Sequence, residues 1–119
     1  MPTVSWLLSK RSPEPIAACG VDDTVLNAAV LMNERGIGSV AILDGDRLAG
    51  IFTERDILRR VVAAGLDPAT TQLADVMSSP VTVAATNTPL SLLATIMRDA
   101  HIRHIPVVES NVPVAMISI

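Results

Sequence analysis

Shifted by 65 positions, the two halves of this chain superimpose by residue class without a gap. Pro15-Ile16 falls on Pro80-Val81, Ala29 to Met32 on Ala94 to Met97, Ile37 on Ile102, Val40 to Leu43 on Ile105 to Val108, and Thr53 on Ser118. Few residues are identical, yet apolar, polar and turn classes agree along the alignment. A repeat of this kind constrains fold more than any local signal, because each copy must build the same supersecondary unit. The first copy continues through Glu54-Arg55-Asp56 into a helical pattern, whereas the second stops at Ile119.

The order of elements within a copy is read from periodicity and punctuation. In the first copy a short apolar turn, Val4 to Leu8, and a Ser/Pro connector precede an extended piece around Ile16 to Ala18. Asp22, Asp23 and Thr24 offer capping oxygens, and Val25, Ala28, Ala29 and Met32 recur at helical spacing up to Gly36. Ser39 to Leu43 reads as an apolar strand, Asp44-Gly45-Asp46 as a turn and Leu48 to Phe52 as the return strand. Thr53 then caps a helix bearing Ile57, Leu58, Val61 and Val62, which ends at Gly65. Leu73 to Met77 repeats the opening turn. The second copy gives an extended piece at Val81 to Val83, then a helix capped by Thr88 with Pro89 at its first position. A strand from His104 to Val108, a turn at Glu109 to Asn111 and a return strand from Val114 to Ser118 complete it.

Composition excludes several functions. Nine basic residues against 12 acidic ones leave a formal charge of −3, the wrong balance for a phosphate backbone. One cysteine, Cys19, rules out an intrachain disulfide framework and fits a reducing compartment. The apolar N-terminus is too short for a signal peptide, and no run nears the roughly 20 residues that span a bilayer. A cytoplasmic protein without membrane or nucleic-acid partners is expected. There is no P-loop, nucleophile elbow or paired-carboxylate signature, so catalysis is not expected. His101 and His104 stand at i, i+3 without a third ligand nearby, so no metal is expected either.

The matching stretches resemble the CBS-domain family, in the form of a tandem CBS pair (a Bateman module). They are Asp23-Thr24-Val25 with Ala28, Ala29 and Met32, Gly38 to Ile42, and Leu48 to Ile57 in the first copy. In the second copy they are Val76-Met77, Leu90 to Met97, Arg103 to Val108 and Val114 to Ser118. The resemblance implies an α+β fold of two β-α-β-β-α repeats related by a pseudo-twofold axis, with the last helix of the second repeat missing. It places the first repeat at 15–65 and the second at 73–119, within one module over 1–119. It further implies clefts between the repeats, a homodimer, a regulated protein partner, and regulation by an adenosine-containing ligand: AMP, ADP, ATP, NAD(H) or S-adenosylmethionine. Such a ligand signals by a change in repeat or dimer packing, and no cofactor is required.

Thr53-Glu54-Arg55-Asp56 is the principal candidate site. A helix start favours phosphate, Thr53 and Arg55 add donors, and Asp56 accepts ribose hydroxyls by analogy with the family. The same Thr-x-x-acid spacing is also a plain capping box. Gly38, Ser39 and Val40 enter the central strand, where Gly38 admits a ligand ring and Val40 packs on a purine, or where the strand merely needs a small residue. By resemblance, the backbone of Ile16 and Ala17 faces the same cleft. A weaker second cleft is assigned to Val81, Thr82, Arg103, His104, Ile105, Pro106 and Ser118. If His104 meets phosphate there, binding tightens as pH falls through the imidazole range.

The second copy departs from the family pattern. It has no counterpart of Asp56, Ala115 replaces the glycine aligned with Gly50, and Val112-Pro113 stands for Arg47-Leu48. One competent cleft and one degraded cleft are therefore expected. The alternative reading is a structural or protein-interaction module with no nucleotide ligand. Because a closing helix of this type buries several aliphatic side chains at roughly 1.5–3 kcal/mol each, the C-terminal sheet face is expected to be covered. Either a second chain covers it, or the sequence belongs to a longer one.

Overall fold

The computed structural model describes residues 2–12 and 14–119; Met1 and Pro13 lie outside the described residues. Its elements are α1 (Val4–Ser9), β1 (Ala18–Gly20), α2 (Val25–Arg35), β2 (Ser39–Asp44), β3 (Arg47–Thr53) and α3 (Glu54–Asp56), continued as a π-helical stretch (Ile57–Val62). After these come α4 (Leu73–Val76), β4 (Ala84–Ala85), α5 (Leu90–Asp99), β5 (His104–Glu109) and β6 (Val112–Ser118). Two three-stranded sheets result, ordered β1-β2-β3 and β4-β5-β6. In each, the first strand pairs parallel and the last antiparallel to the central one.

The repeat holds down to backbone detail. Ser39 faces Thr53 as His104 faces Ser118, and a register shift falls between Ile42 and Leu43 as it does between Val107 and Val108. Gly36 closes α2 in the left-handed region at φ 62°, and its counterpart His101 takes φ 54°. Gly45 and Ser110, which occupy the same place in the two hairpins, have φ 67° and 51°.

The chain divides into two compact units, Ala17–Val81 and the combination of Met1–Ile16 with Thr82–Ile119. The first is built on Val25, Ala28, Met32, Val40, Ile42, Phe52, Val61, Leu73 and Val76. The second is built on Val4, Ala84, Leu93, Met97, Ile105, Val107 and Ile117. Val4 is fully buried among second-copy residues, so α1 belongs to that core and does not open the first copy. Backbone bonds fix this exchange: the Val4 amide donates to Thr88 (2.9 Å), and the Leu73 amide donates to the equivalent Asp23 (2.9 Å). Each short apolar helix thus closes the repeat other than the one it precedes in sequence.

Several element boundaries differ from expectation. The first strands lie at Ala18–Gly20 and Ala84–Ala85, later than Ile16 to Ala18 and Val81 to Val83. The parallel pairing with β2 and β5 sets them. The Ala41 amide donates to the Ala17 carbonyl at 3.0 Å, whereas the aligned residue Pro106 has no N–H to offer Thr82. This loss makes β4 one residue shorter than β1. Helix α5 is capped by Pro89 itself, because Thr88 turns its hydroxyl back to accept from the Ala85 amide at 3.0 Å. Strand β6 starts at Val112, with Pro113 seated at the register shift opposite Val108.

Candidate functional site

The junction between β3 and α3 is where the candidate residues of the first copy gather. Thr53 ends β3 in an extended conformation and caps the helix: its Oγ1 accepts from the Asp56 amide at 3.3 Å, and Asp56 Oδ2 accepts from the Thr53 amide at 3.0 Å. The Thr53 hydroxyl also lies 3.2 Å from Oδ2. The capping box satisfies two helix-start donors reciprocally. The Glu54 amide donates to the Gly38 carbonyl at 3.1 Å, so this helix start turns fewer N–H groups outward than a bare end does.

Asp56 is only 6% exposed. Its second oxygen, Oδ1, accepts from Ser78 Oγ at 2.9 Å and lies 3.4 Å from Arg60 Nε. A carboxylate has about four lone-pair sites, and here three hydrogen bonds and one ion pair approach them from within the same unit. Arg60, whose side chain is half exposed, also donates to the Met77 carbonyl at 3.1 Å. Arg55 projects into solvent beside this group.

The segment after α4 is strapped to the edge of β3. Ile51 and Ser78 exchange amide–carbonyl bonds at 3.0 and 2.9 Å, and Ser79 Oγ donates to the Ala49 carbonyl at 3.0 Å. Gly50 makes this approach possible. A Cβ there would stand 2.5 Å from Met77 Sδ and 3.0 Å from the Ser78 carbonyl oxygen.

The structure brings Thr53, Arg55 and Asp56 together, with Gly38 bonded to the same turn and Ser39 opposite Thr53 in the sheet. Val40 is fully buried in the first core. Ala17 is buried with its carbonyl taken by Ala41, and Ile16 is partly exposed. In the second copy His104 Nδ1 lies 2.9 Å from Ser118 Oγ. Arg103 Nε donates to the Ile119 carbonyl at 3.2 Å. Ile105 lies in the second core and Pro106 is also fully buried, while Val81 is partly exposed and Thr82 exposed. Among the described residues no group of three His, Cys, Asp or Glu is placed to hold a metal.

Sequence reasoning missed Ser78, Gly50 and Met77. Arg60 was visible in principle, as the i+4 partner of Asp56. Ser78 carries no such signal, because only the strap on β3 brings it to Asp56.

The CBS-domain profile matches residues 12–63 and 73–119. The chain belongs to the CBS-domain family. It is 34% identical over 107 residues to the mitochondrial CBS domain-containing protein CBSX3 of Arabidopsis thaliana, covering 85% of this chain and 52% of that protein. It thus spans about half the length of the first curated relatives it matches. Among solved structures, a CBS-domain protein from Burkholderia ambifaria superimposes with a TM-score of 0.90 at 29% identity, covering 98% of this chain and 88% of that one. The CBS domain protein PAE2072 of Pyrobaculum aerophilum, complexed with AMP, does so with a TM-score of 0.83 at 26% identity, covering 98% and 87%. Among the described residues of this CBS pair, no helix is long and apolar enough to cross a membrane.

Proposed function

We propose that this CBS pair is a non-catalytic regulatory module that binds an adenosine-containing ligand at the β3–α3 junction. The AMP complex of PAE2072, a neighbour of nearly equal length, is the observation that carries this reading. The chemistry of the junction agrees with it. Asp56 accepts from ribose hydroxyls, Thr53 and the exposed Arg55 serve the phosphate end, and Gly38 leaves room beside them. Arg103, His104 and Ser118, with Thr82, form the weaker second site, which has no counterpart of Asp56.

The module acts as a homodimer. Leu58 and Val62 on the π-helical stretch are 61% and 65% exposed, and Leu26 and Val30 on α2 are 45% and 47% exposed; apolar surface of this kind favours self-association. Binding shifts the populations of packing arrangements by the ligand's differential affinity for them, and a protein partner reads the shift. No nucleic acid or membrane takes part, and the protein works in the cytoplasm.

Calorimetry with AMP, ADP, ATP, NADH and S-adenosylmethionine tests the reading. One of them binds, and at 100 times its dissociation constant it adds about 2.7 kcal/mol of apparent stability. Absence of heat with all five overturns the proposal, and a solution mass equal to one chain overturns the homodimer.

The engagement of Asp56 within its own unit favours a second reading, a protein-interaction module with no nucleotide. A carboxylate already holding Thr53, Ser78 and Arg60 is complete as a structural element. Purified protein free of nucleotide absorbance, together with a co-purifying protein, would support it.

A further inference from the structure

The strap and the candidate site share one group. Ser78 is held on β3 by its own backbone and on Asp56 by its hydroxyl, while Arg60 bridges Asp56 to the Met77 carbonyl. Residues 77–81 then lead directly into the other compact unit at Thr82. Three hydrogen bonds and the Arg60 ion pair already surround the Asp56 carboxylate, so a hydroxyl arriving from outside competes with a partner already bound.

We propose that Asp56 is a latch for this connector, released when a vicinal diol takes the place of the Ser78 hydroxyl. The inference rests on the adenosine-ligand reading above and adds to it the element that transmits binding. A ribose diol offers two O–H donors, enough to take both positions at Oδ1 and displace Ser78 Oγ and the Arg60 contact together, while Oδ2 stays with Thr53. With Asp56 occupied, the connector keeps its two backbone bonds to Ile51, the Ser79 bond to Ala49 and the Arg60 bond to the Met77 carbonyl, and loses its side-chain anchor on the helix start. Opening of the strap then becomes easier, which is local unfolding coupled to binding. Ser78 and Arg60 act as positioning residues, since they touch the carboxylate and not the ligand.

Amide exchange on the intact chain, followed by NMR, tests both parts. Without ligand, Ser78→Ala and Asp56→Asn each speed exchange at the Ile51 amide and at the amide of residue 78 by about tenfold, the effect of losing one hydrogen bond to a charged group. Unchanged exchange in both variants overturns the latch. With AMP as probe, the Ile51 and Ser78 amides exchange about tenfold faster while those of Glu54 to Ile57 slow. 2′,3′-Dideoxy-AMP, which lacks the diol, leaves Ile51 and Ser78 unchanged. Ser78→Ala binds AMP about tenfold more tightly, because no hydroxyl competes. If AMP protects Glu54 to Ile57 without freeing Ile51 and Ser78, or if Ser78→Ala binds AMP no more tightly, the coupling is overturned and the adenosine reading stands. If the wild type binds none of the five adenosine ligands, the reading and the coupling both fall.

Discussion

Ser78 Oγ donates to Asp56 Oδ1 at 2.9 Å across 22 positions of chain, joining the start of the helix after β3 to the segment that leaves the first unit. Asp56 therefore has two duties inside the fold, capping its own helix and holding the connector, before any ligand arrives. Asp56→Ala leaves the Thr53 amide and the Ser78 hydroxyl without their acceptor and lowers stability by about 2–3 kcal/mol. That is within the roughly 5–15 kcal/mol of a domain, so the variant still folds. Urea midpoints of Asp56→Ala, Ser78→Ala and the double variant give a coupling of about 1–2 kcal/mol. A coupling near zero would show that the hydrogen bond does not contribute to stability.

Gly50 is required because the connector passes where its side chain would be. Gly50→Ala places a Cβ 2.5 Å from Met77 Sδ and 2.9 Å from Met77 Cγ. Forcing a methyl into such a contact costs about 1–3 kcal/mol. Met77→Ala in the same chain vacates the space and recovers part of the loss, leaving the 3.0 Å approach to the Ser78 carbonyl oxygen. Thermal midpoints of the three variants measure this, and additive losses would refute the contact as the cause.

The two left-handed positions after the long helices make an internal control. Gly36 at φ 62° suits its place, and His101 at φ 54° pays the Cβ penalty of the same conformation. His101→Gly is expected to raise stability by about 0.5–1 kcal/mol, and Gly36→Ala to lower it by about 1 kcal/mol. Equal effects of the same sign at the two positions would contradict the assignment.

Most of the fold was legible because the 65-residue offset was. Strands β2 and β5, and likewise β3 and β6, coincide under it to the residue, and Gly36 was readable as a helix terminator. The exchange of α1 and α4 was not legible. Val4 to Leu8 and Leu73 to Met77 have the same apolar character, and nothing local in either says which core it enters. The shorter β4 follows from Pro106, whose missing N–H matters only once its parallel neighbour is known. At the site, the Thr53–Asp56 spacing announced the capping box, and the box is present. The burial of Val40 was hidden because a strand flanked on both faces gives no alternation to separate core from cleft.

Cys19 supplies a pH-dependent prediction. It sits in β1 at 8% exposure, and burial, with a smaller contribution from the negative charge of Asp23, pushes its thiol above the ordinary value of 9.0. The folded state therefore keeps the proton where the unfolded chain has begun to release it. With fewer protons bound to the unfolded state, stability falls as pH rises. The contribution is whole below the ordinary thiol range and is lost from about pH 9 upward, as the pH climbs toward the folded value. Urea unfolding of the wild type at pH 8 and pH 10 is expected to show this loss, and Cys19→Ala to remove the thiol's share of it. Native protein at pH 8 also reacts with a disulfide reagent about a hundredfold more slowly than unfolded protein, since the thiolate is the nucleophile and here it is both scarce and covered. Equal labelling rates in the two states would place Cys19 on an open surface and contradict its position in the first core.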